Sequence, residues 1–395
     1  MPRLLALTTA AISAAAAAAA AAASVNITAA GSPAVVWAAV DTLHKCGFID
    51  VPDIPARFFV DNTGLTHAVC GSTTFRRMDG PSLLNLTRNC TAAWNETANP
   101  DPSQFDGDEF LDSTHAFDNG TVVALVHTEY PGNVYHNCSA SAGAESYPTC
   151  WTVTIGLAIS HDFGVTWAHA RPPPNHLVAA VPYAYNQSQL AYGWGDPSNI
   201  VQGQGAADSA FFYAAVWNRN QVGLQAPGVC IMRTADLTDP AAWRAWSGSA
   251  FDVAFADPYT LPPGDEAAHV CAVTNLPGCP LGGIAWSRFL GAYVATMDCS
   301  LQGGEQFYFA TSADLLVWSS PQPFYNQRDL PANVSSVVTS MSYPAIVDLG
   351  SPGAGDRNFM TIEGDTALLT WVSIGHSPYT DGRRLWATPI KFTKP

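Results

Sequence analysis

IGLAISHDFGVTW, at residues 155–167, is the stretch that decides the fold. It joins an apolar run to Ser-X-Asp and then to a tryptophan. Two further copies follow, VCIMRTADLTDPAAW at 229–243 and FYFATSADLLVW at 307–318. From copy to copy the aspartate recurs at spacings of 74 and 78 residues. A nearly constant period of this length indicates an architecture of repeated units.

The repeated aspartates, Asp162, Asp236 and Asp314, are predicted to be turn residues. In Ser-X-Asp-X-Gly-X-X-Trp the carboxylate can accept backbone N–H bonds while the indole covers the turn. The copy at 160–167 resembles the Asp-box of sialidases and other propeller proteins, a structural motif that lies away from the active end. We therefore expect these three aspartates to occupy equivalent outer turns and to take no part in catalysis.

Each copy is preceded by a second apolar run, at 121–127, 210–217 and 291–297, and weaker copies begin near residues 57 and 343. A period near 75 over residues 55–395 gives four to five units of short strands with Gly and Asp turns, and five starts can be counted. No helical periodicity is present. The pattern predicts an all-β fold, a five-bladed β-propeller whose blades are antiparallel sheets of three to four strands. A β-sandwich or a β-helix is the alternative.

The N-terminus has the features of a secretory signal peptide at residues 1–24. Arg3 and several leucines lead into an alanine tract, and cleavage is expected near Ala23 or Ser24. An uncleaved membrane anchor is the alternative, which the weakly apolar alanines disfavour. No linker composition interrupts the rest of the chain. We therefore expect residues 25–395 to form a single propeller domain with an N-terminal extension to about residue 50.

Two further features predict a secreted, extracellular glycoprotein. There are nine cysteines, an odd number, so at least one thiol is unpaired within the chain. Cys138 with Cys150, and Cys271 with Cys279, bracket short polar stretches and are expected to be local disulfide bonds. Eight Asn-X-Ser/Thr acceptors are also present, at Asn26, Asn85, Asn89, Asn95, Asn119, Asn137, Asn186 and Asn333.

Charge and motif content exclude several functions. The net charge is −15 with only 17 Lys plus Arg, which argues against a nucleic-acid partner and, once the signal peptide is removed, against a membrane partner. There is no Gly-X-Ser-X-Gly, His-Glu-X-X-His, phosphate-binding glycine loop or Cys-X-X-Cys. The histidines show no metal-ligand spacing. We expect no cofactor and no metal, and the oligomeric state stays open.

Carboxylates and aromatic rings remain, and these are the groups of carbohydrate chemistry. In a propeller the inner strands converge on the axis. Asp112 and Asp196 lie near the starts of inner strands and Glu129 near the end of the second strand of blade two, so these three are the candidates for catalysis. Position favours Glu129 as the proton donor and Asp112 as the base. The candidates for substrate binding are Arg57, His127, Trp194, Asn199 and Tyr343.

Each candidate also has a purely structural interpretation. Asp196 and Asp112 could be turn residues, and Glu129 could belong to an ion pair. Arg57 and Tyr343 could stabilise the axis, and His127 could be an ordinary strand histidine.

Asp196-Pro197 ahead of an apolar strand, with the Ser/Thr-X-Asp turn further on, resembles five-bladed propeller glycosidases of the arabinanase/xylosidase and invertase types. The resemblance implies that Asp196 orients the catalytic acid or tunes its pKa. Two departures are evident. A catalytic Asp is expected on the first inner strand, where this chain offers Arg57 and then Asp61. A later inner strand should carry an acidic residue, but Leu281–Trp286 has none.

Three functions follow from these observations. The first is a glycoside hydrolase with a carboxylate acid/base pair in an axial pocket, acting on an extracellular oligo- or polysaccharide. The second is a non-catalytic propeller that binds a glycan or a protein through the same face. The third is a sialidase-like hydrolase, which would need three arginines converging on the axis.

Overall fold

The computed structural model describes residues 25–48, 50, 52–138, 149–276, 278–299, 305–374 and 383–394. Antiparallel sheets follow one another along the chain and form the five blades of a β-propeller. The predicted all-β class and five-bladed propeller are thus confirmed. The predicted signal peptide, residues 1–24, lies outside the described residues.

The chain begins with two strands and a helix, β1 (Asn26–Ala29), β2 (Ala34–Ala38) and α1 (Ala39–Cys46). Blade one and the small sheet beside it then contain β3 (Arg57–Val60), β4 (Thr66–Val69), β5 (Thr74–Phe75), β6 (Met78–Ser82), β7 (Asn85–Arg88) and β8 (Trp94–Asn95). The blade itself has the order β3-β4-β6-β7, while β5 pairs with β8.

Blade two has the longest strands, and β9 is its innermost strand. Its members are β9 (Asp108–Ala116), β10 (Val122–Pro131), β11 (Trp151–Ser160), β12 (Ala168–His169), β13 (Leu177–Ala179) and β14 (Tyr192–Gly193). Blade three runs outward as β15 (Val201–Gln202), β16 (Phe212–Asn218), β17 (Gly228–Thr234), β18 (Arg244–Trp246) and β19 (Phe251–Ala254).

Blade four starts with β20 nearest the axis. Its strands are β20 (Leu281–Ser287), β21 (Ala292–Asp298), β22 (Gln306–Ser312) and β23 (Gln322–Asn326), and the later β25 (Thr361–Ile362) pairs with β20. A short helix, α2 (Ala332–Ser335), then leads into blade five, which contains β24 (Ser340–Val347), β26 (Thr366–Ile374) and β27 (Arg384–Thr393).

The N-terminal strands complete blade five and so close the ring. β1 pairs antiparallel with β27, where Asn26 is opposite Thr393, and β2 pairs with the other half of β27. The stretch that we expected to precede the propeller therefore contributes two strands to it. Ile27 is buried in the core of this blade together with Phe392.

The three repeated aspartates occupy equivalent turns, as predicted. Each follows the third strand of its blade, β11, β17 or β22, and its backbone N–H donates to the Ser or Thr hydroxyl two residues earlier. Asp162, for example, accepts hydrogen bonds from the backbone and the hydroxyl of Thr166. These bonds lower the pKa of Asp162 despite some burial.

The disulfide predictions are partly right. Cys138 and Cys150 are bonded as expected. The expected Cys271–Cys279 bond is wrong, because Cys271 joins Cys230 in β17, and Cys279 joins Cys299 at the end of β21. Cys46 with Cys90 makes the remaining bond between described residues, and the unpaired thiol is the buried Cys70. Short sequence separation was a poor guide, since neighbouring strands bring distant cysteines together.

The surface agrees with the sequence in one further respect. All eight asparagines of the glycosylation acceptors are exposed, as attachment of a glycan requires. Among the described residues, no helix has the length and apolar character needed to cross a membrane.

Closure of the ring by β1 is open to a direct test. Ile27→Ala should lower the free energy of unfolding by about 2–5 kcal/mol, because it removes a buried side chain from blade five. Ala29→Ser, at an exposed position of the same strand, should change it by less than about 0.5 kcal/mol. Denaturant unfolding measures both variants. Equal stability of Ile27→Ala and the unaltered protein would show that β1 does not contribute to the ring.

Candidate active site

One cavity of about 530 Å³ opens at the end of the axis where the inner strands start and the second strands finish. Glu129 lies near the end of β10, Trp217 near the end of β16, and Asp298 at the end of β21. Asp196 and Tyr343 reach the cavity from the starts of blades three and five. The remaining lining residues are Pro55, Arg219, Pro280, Leu281, Gly282, Ser342, Pro344, Ile374 and Arg383.

Asp196 and Tyr343 share an unusual backbone conformation. Both have a left-handed φ, 45° and 59° respectively, and each is followed by a proline. Non-glycine residues seldom adopt such angles, and those that do cluster at functional sites, where the surrounding structure maintains them. The same local geometry thus directs a carboxylate and a phenol into one cavity from two different blades.

His127 connects the two carboxylates that the sequence analysis selected. The backbone N–H of Asp196 donates to His127 Nδ1 at 3.0 Å, and His127 Nε2 contacts Glu129 Oε1 at 3.1 Å. Because Nδ1 accepts a hydrogen bond, the proton of a neutral ring lies on Nε2 and points to Glu129. His127, Glu129 and Asp196 also line a side recess of about 50 Å³ next to the main cavity.

Burial and charge act in opposite directions on these groups. Burial raises the pKa of Asp196, and the nearby His127 only partly offsets this effect. Burial alone would lower the pKa of His127, but the hydrogen bond to Glu129 and the charges of Asp196, Glu129 and Asp112 raise it to about 9. The hydrogen bond that Nδ1 accepts from Asp196 favours the neutral ring and so opposes this rise.

Asp112 and Arg57 do not lie where their expected roles require. Arg57 donates to the carbonyl oxygens of Gly282 at 2.6 Å and Pro197 at 3.0 Å, and its guanidinium is 3.2 Å from Asp112 Oδ1. Both side chains are almost fully buried and neither lines the cavity. This placement argues against Asp112 as the catalytic base and against Arg57 as a substrate-binding residue, because the two side chains form a buried ion pair at the axis.

Two other substrate-binding candidates also have structural roles. Trp194 is fully buried in the apolar core between blades two and three, so it cannot stack on a sugar in the cavity. The side-chain amide of Asn199 donates to the carbonyl of Ile284 at 2.8 Å and accepts from its N–H at 2.7 Å. Asn199 therefore links blade three to blade four.

The sequence analysis missed Asp298, the third carboxylate of the cavity, whose Oδ2 accepts a hydrogen bond from Ser342 at 2.9 Å. The signal was present in the sequence. Asp298 ends an apolar second strand, as Glu129 nearly does in blade two. The prediction for blade four rested on its inner strand alone.

Asp53 was missed as well. It pairs with Arg383 and accepts a hydrogen bond from the Tyr343 hydroxyl at 3.2 Å. Burial, followed by the negative charge of Asp53, raises the pKa of Tyr343 well above its usual value, so the phenol stays protonated.

The cavity also has groups that suit a polyhydroxylated ligand. Trp217 offers an aromatic surface, and the Arg219 guanidinium lies 5.1 Å from the centre of its ring. Burial lowers the pKa of Arg219, and the negative charge of the nearby Glu129 partly offsets this effect. Carboxylates in different environments beside aromatic and cationic groups are equipped for acid/base chemistry on a sugar.

No known protein family and no curated protein matches the sequence. Solved structures do match the fold. The catalytic domain of a GH62 α-L-arabinofuranosidase from Coprinopsis cinerea has a TM-score of 0.50 at 8% identity, covering 92% of this chain and 97% of that one. A glycosyl hydrolase from Bacteroides ovatus has a TM-score of 0.49 at 8% identity, covering 92% and 93%.

An α-L-arabinofuranosidase from Lactobacillus brevis also matches, with a TM-score of 0.48 at 11% identity, covering 84% of this chain and 88% of that one. At such low identities the likeness is one of fold. The match to the Coprinopsis domain covers nearly all of both chains and supports the five-bladed propeller that the repeats predicted.

The role of Arg57 can be measured through stability. Arg57→Met should lower the free energy of unfolding by about 3–5 kcal/mol at pH 7, because it leaves Asp112 as an unpaired buried charge. Burial raises the pKa of Asp112 to about 6, so at pH 4 this carboxyl is neutral and the effect should be smaller. Denaturant unfolding at both pH values measures the difference.

The matched control is Arg288→Met, whose side chain is 60% exposed and pairs with Glu363. It should cost less than about 1 kcal/mol. The double variant Arg57→Met/Asp112→Leu should recover much of the loss. A single variant as stable as the unaltered protein would contradict the assignment of Arg57.

Proposed function

We propose that this protein is an extracellular glycoside hydrolase. The observation that carries the proposal is that Glu129, Asp196 and Asp298 line one cavity at the axis of a five-bladed propeller. Glycoside hydrolysis by the common mechanisms needs a pair of carboxyl groups whose pKa values differ, one to donate a proton and one to act as base or nucleophile. The fold is shared with solved arabinofuranosidases, which is consistent with this chemistry.

The contacts favour Asp196 as the acid. Burial raises the pKa of this carboxyl, which keeps it protonated until it is needed. Glu129 accepts a hydrogen bond from His127 and faces Arg219, the environment of a carboxylate that receives a proton or attacks a carbon. In this proposal Glu129 is the base or nucleophile, whereas its position in the sequence alone suggested that it is the proton donor. Asp298, hydrogen-bonded to Ser342, lies opposite as a third acidic group for orienting substrate.

The lining suits a neutral or mildly charged glycan. Tyr343 can contact a sugar face, while Arg219 can bind hydroxyl oxygens. A sialidase would need a trio of arginines for the substrate carboxylate. Among the described residues near the axis, Arg57 forms an ion pair with Asp112, and Arg383 forms one with Asp53. These pairings disfavour a sialidase activity. The disulfide bonds and exposed glycosylation acceptors support secretion.

One observation favours the alternative of a non-catalytic glycan-binding propeller. The glycosidases that this sequence resembles have a catalytic Asp on the first inner strand, and here Arg57 occupies that strand. A binding protein would retain glycan affinity in the cavity but release no product. Incubation with a panel of aryl-glycosides and plant and microbial oligosaccharides separates the two functions.

Substitution of the two principal carboxyls should distinguish acid from base. Glu129→Gln should lower kcat by at least about 100-fold on every substrate that the protein cleaves. Asp196→Asn should cause a similar loss on natural glycans but a much smaller one on dinitrophenyl glycosides, because that leaving group needs no proton. Steady-state kinetics on both substrate types measures this.

Asp252→Asn, an exposed carboxyl remote from the cavity lining, is the control and should keep full activity. Equal losses of Asp196→Asn on both substrate types would remove Asp196 as the acid. Full activity of Glu129→Gln would remove Glu129 from the mechanism.

The pH profile provides an independent test. An acid with a raised pKa supports catalysis below that pKa and loses activity as the pH rises through it. We therefore expect kcat/KM on natural glycans to fall on the alkaline side. The same limb should be absent for dinitrophenyl glycosides. An alkaline limb with identical midpoints on both substrates would assign it to another group.

A further inference from the structure

A second polar cluster lies in blade two and does not line the axial cavity. It contains Glu109 in β9, His169 in β12 and His176 just before β13. One ligand atom from each residue, a carboxylate oxygen or a ring nitrogen, lies within 4.8 Å of the other two. The sequence analysis expected no metal, because the histidines show no metal-ligand spacing. Glu109 precedes His169 by 60 residues in the sequence, and the fold brings the two side chains together.

Glu109 is the acidic member of the cluster, and it is fully buried. Its side chain has no exposed surface, and His169 Nε2 is 2.6 Å from its Oε1. The backbone N–H of Thr97 donates to Oε2 at 3.1 Å. A carboxylate in such a place is costly unless cations or strong donors surround it. One histidine and one peptide N–H are the hydrogen-bond partners that the structure gives it.

His176 has the arrangement of a metal-ligating histidine. It is fully buried, and its Nε2 lies 3.1 Å from the carbonyl oxygen of Phe105. Its Nδ1 has no hydrogen-bond partner among the described residues. Ligating histidines characteristically donate one ring N–H to a backbone carbonyl or carboxylate and present the other nitrogen to the metal.

Asp106 adds a second unsatisfied polar group nearby. Its carboxylate interacts electrostatically with both Glu109 and His169, and burial raises its pKa. Its buried Oδ1 also has no hydrogen-bond partner among the described residues. Buried polar atoms are usually paired, so two unpaired ones beside one ion pair require an explanation. A cation bound by the three residues of the cluster would satisfy His176 Nδ1 and would lie near the Asp106 carboxylate.

We propose that Glu109, His169 and His176 bind one zinc ion that stabilises blade two. Two imidazoles and one carboxylate form a ligand set that zinc commonly takes, with a fourth position for another oxygen donor. Thr97, Phe105 and Asp106 belong to the connection between blades one and two, and all three contact or face the cluster. The ion would therefore fasten this connection to blade two.

The test uses the full secreted chain, purified without a polyhistidine tag and treated with a chelator. Titration with Co²⁺ should give visible d–d absorption that saturates at one equivalent, and Zn²⁺ should abolish that absorption. Zn²⁺ should also raise the Tm, because an ion that binds only the folded chain stabilises it. Neither readout depends on glycosidase activity, so both remain valid if the proposed hydrolase function fails.

Glu109→Gln keeps the shape of the side chain and an oxygen acceptor for Thr97, and His169→Asn removes one ligand. Each should weaken Zn²⁺ binding by at least about 100-fold in calorimetry while circular dichroism shows a folded protein. His161→Asn, an exposed histidine at the turn after β11, is the control and should bind as the unaltered protein does.

Absence of stoichiometric Co²⁺ and Zn²⁺ binding by the folded, unaltered chain would overturn the proposal and leave a buried His169–Glu109 pair. Binding that survives both ligand variants would overturn it equally, because the metal would then lie elsewhere. If His169→Asn does not fold, the near-isosteric Glu109→Gln still decides the question.

Discussion

The arrangement of the blades depends on the contacts that the Arg57 guanidinium makes. It extends from the innermost strand of blade one, pairs with Asp112 of blade two, and donates to main-chain carbonyls at the starts of blades three and four. One side chain thereby connects four of the five blades at the axis. Its planar fork of donors suits this task, and a lysine could not make the same set of bonds. The cavity lies at the end of an axis whose centre is filled by the buried Arg57–Asp112 ion pair.

The repeat and the blade count could be predicted from the sequence because both arise from local chemistry. The Ser/Thr-X-Asp turn is encoded within a few residues, and its period reports the blades. Side-chain direction was harder to predict. Trp194 and Asp196 are two residues apart, yet one is sealed in the core and the other reaches the cavity, because Asp196 adopts a left-handed φ that regular strand alternation does not anticipate.

Features formed across strands were harder still to predict, because residues far apart in the sequence form them. Asp298 joins the cavity because the second strands of the blades end at the same face as the inner strands begin. Cys230 meets Cys271, and Glu109 meets two histidines, through pairings that no short motif records. The candidate site is therefore a product of topology. Glu129 and Asp196 were identified because each lies at a blade position that topology places on the axis.

The pairing of β1 with β27 sets an order of events during biosynthesis. β1 finds its partner only when β27, which begins at Arg384, has been made, so the ring stays open until then. Contacts of such long range are slow to form and leave an unpaired strand edge exposed meanwhile. Asn26 lies in β1 itself. Under the proposed secretion, a glycan attached to Asn26 would shield this unpaired strand edge until blade five forms.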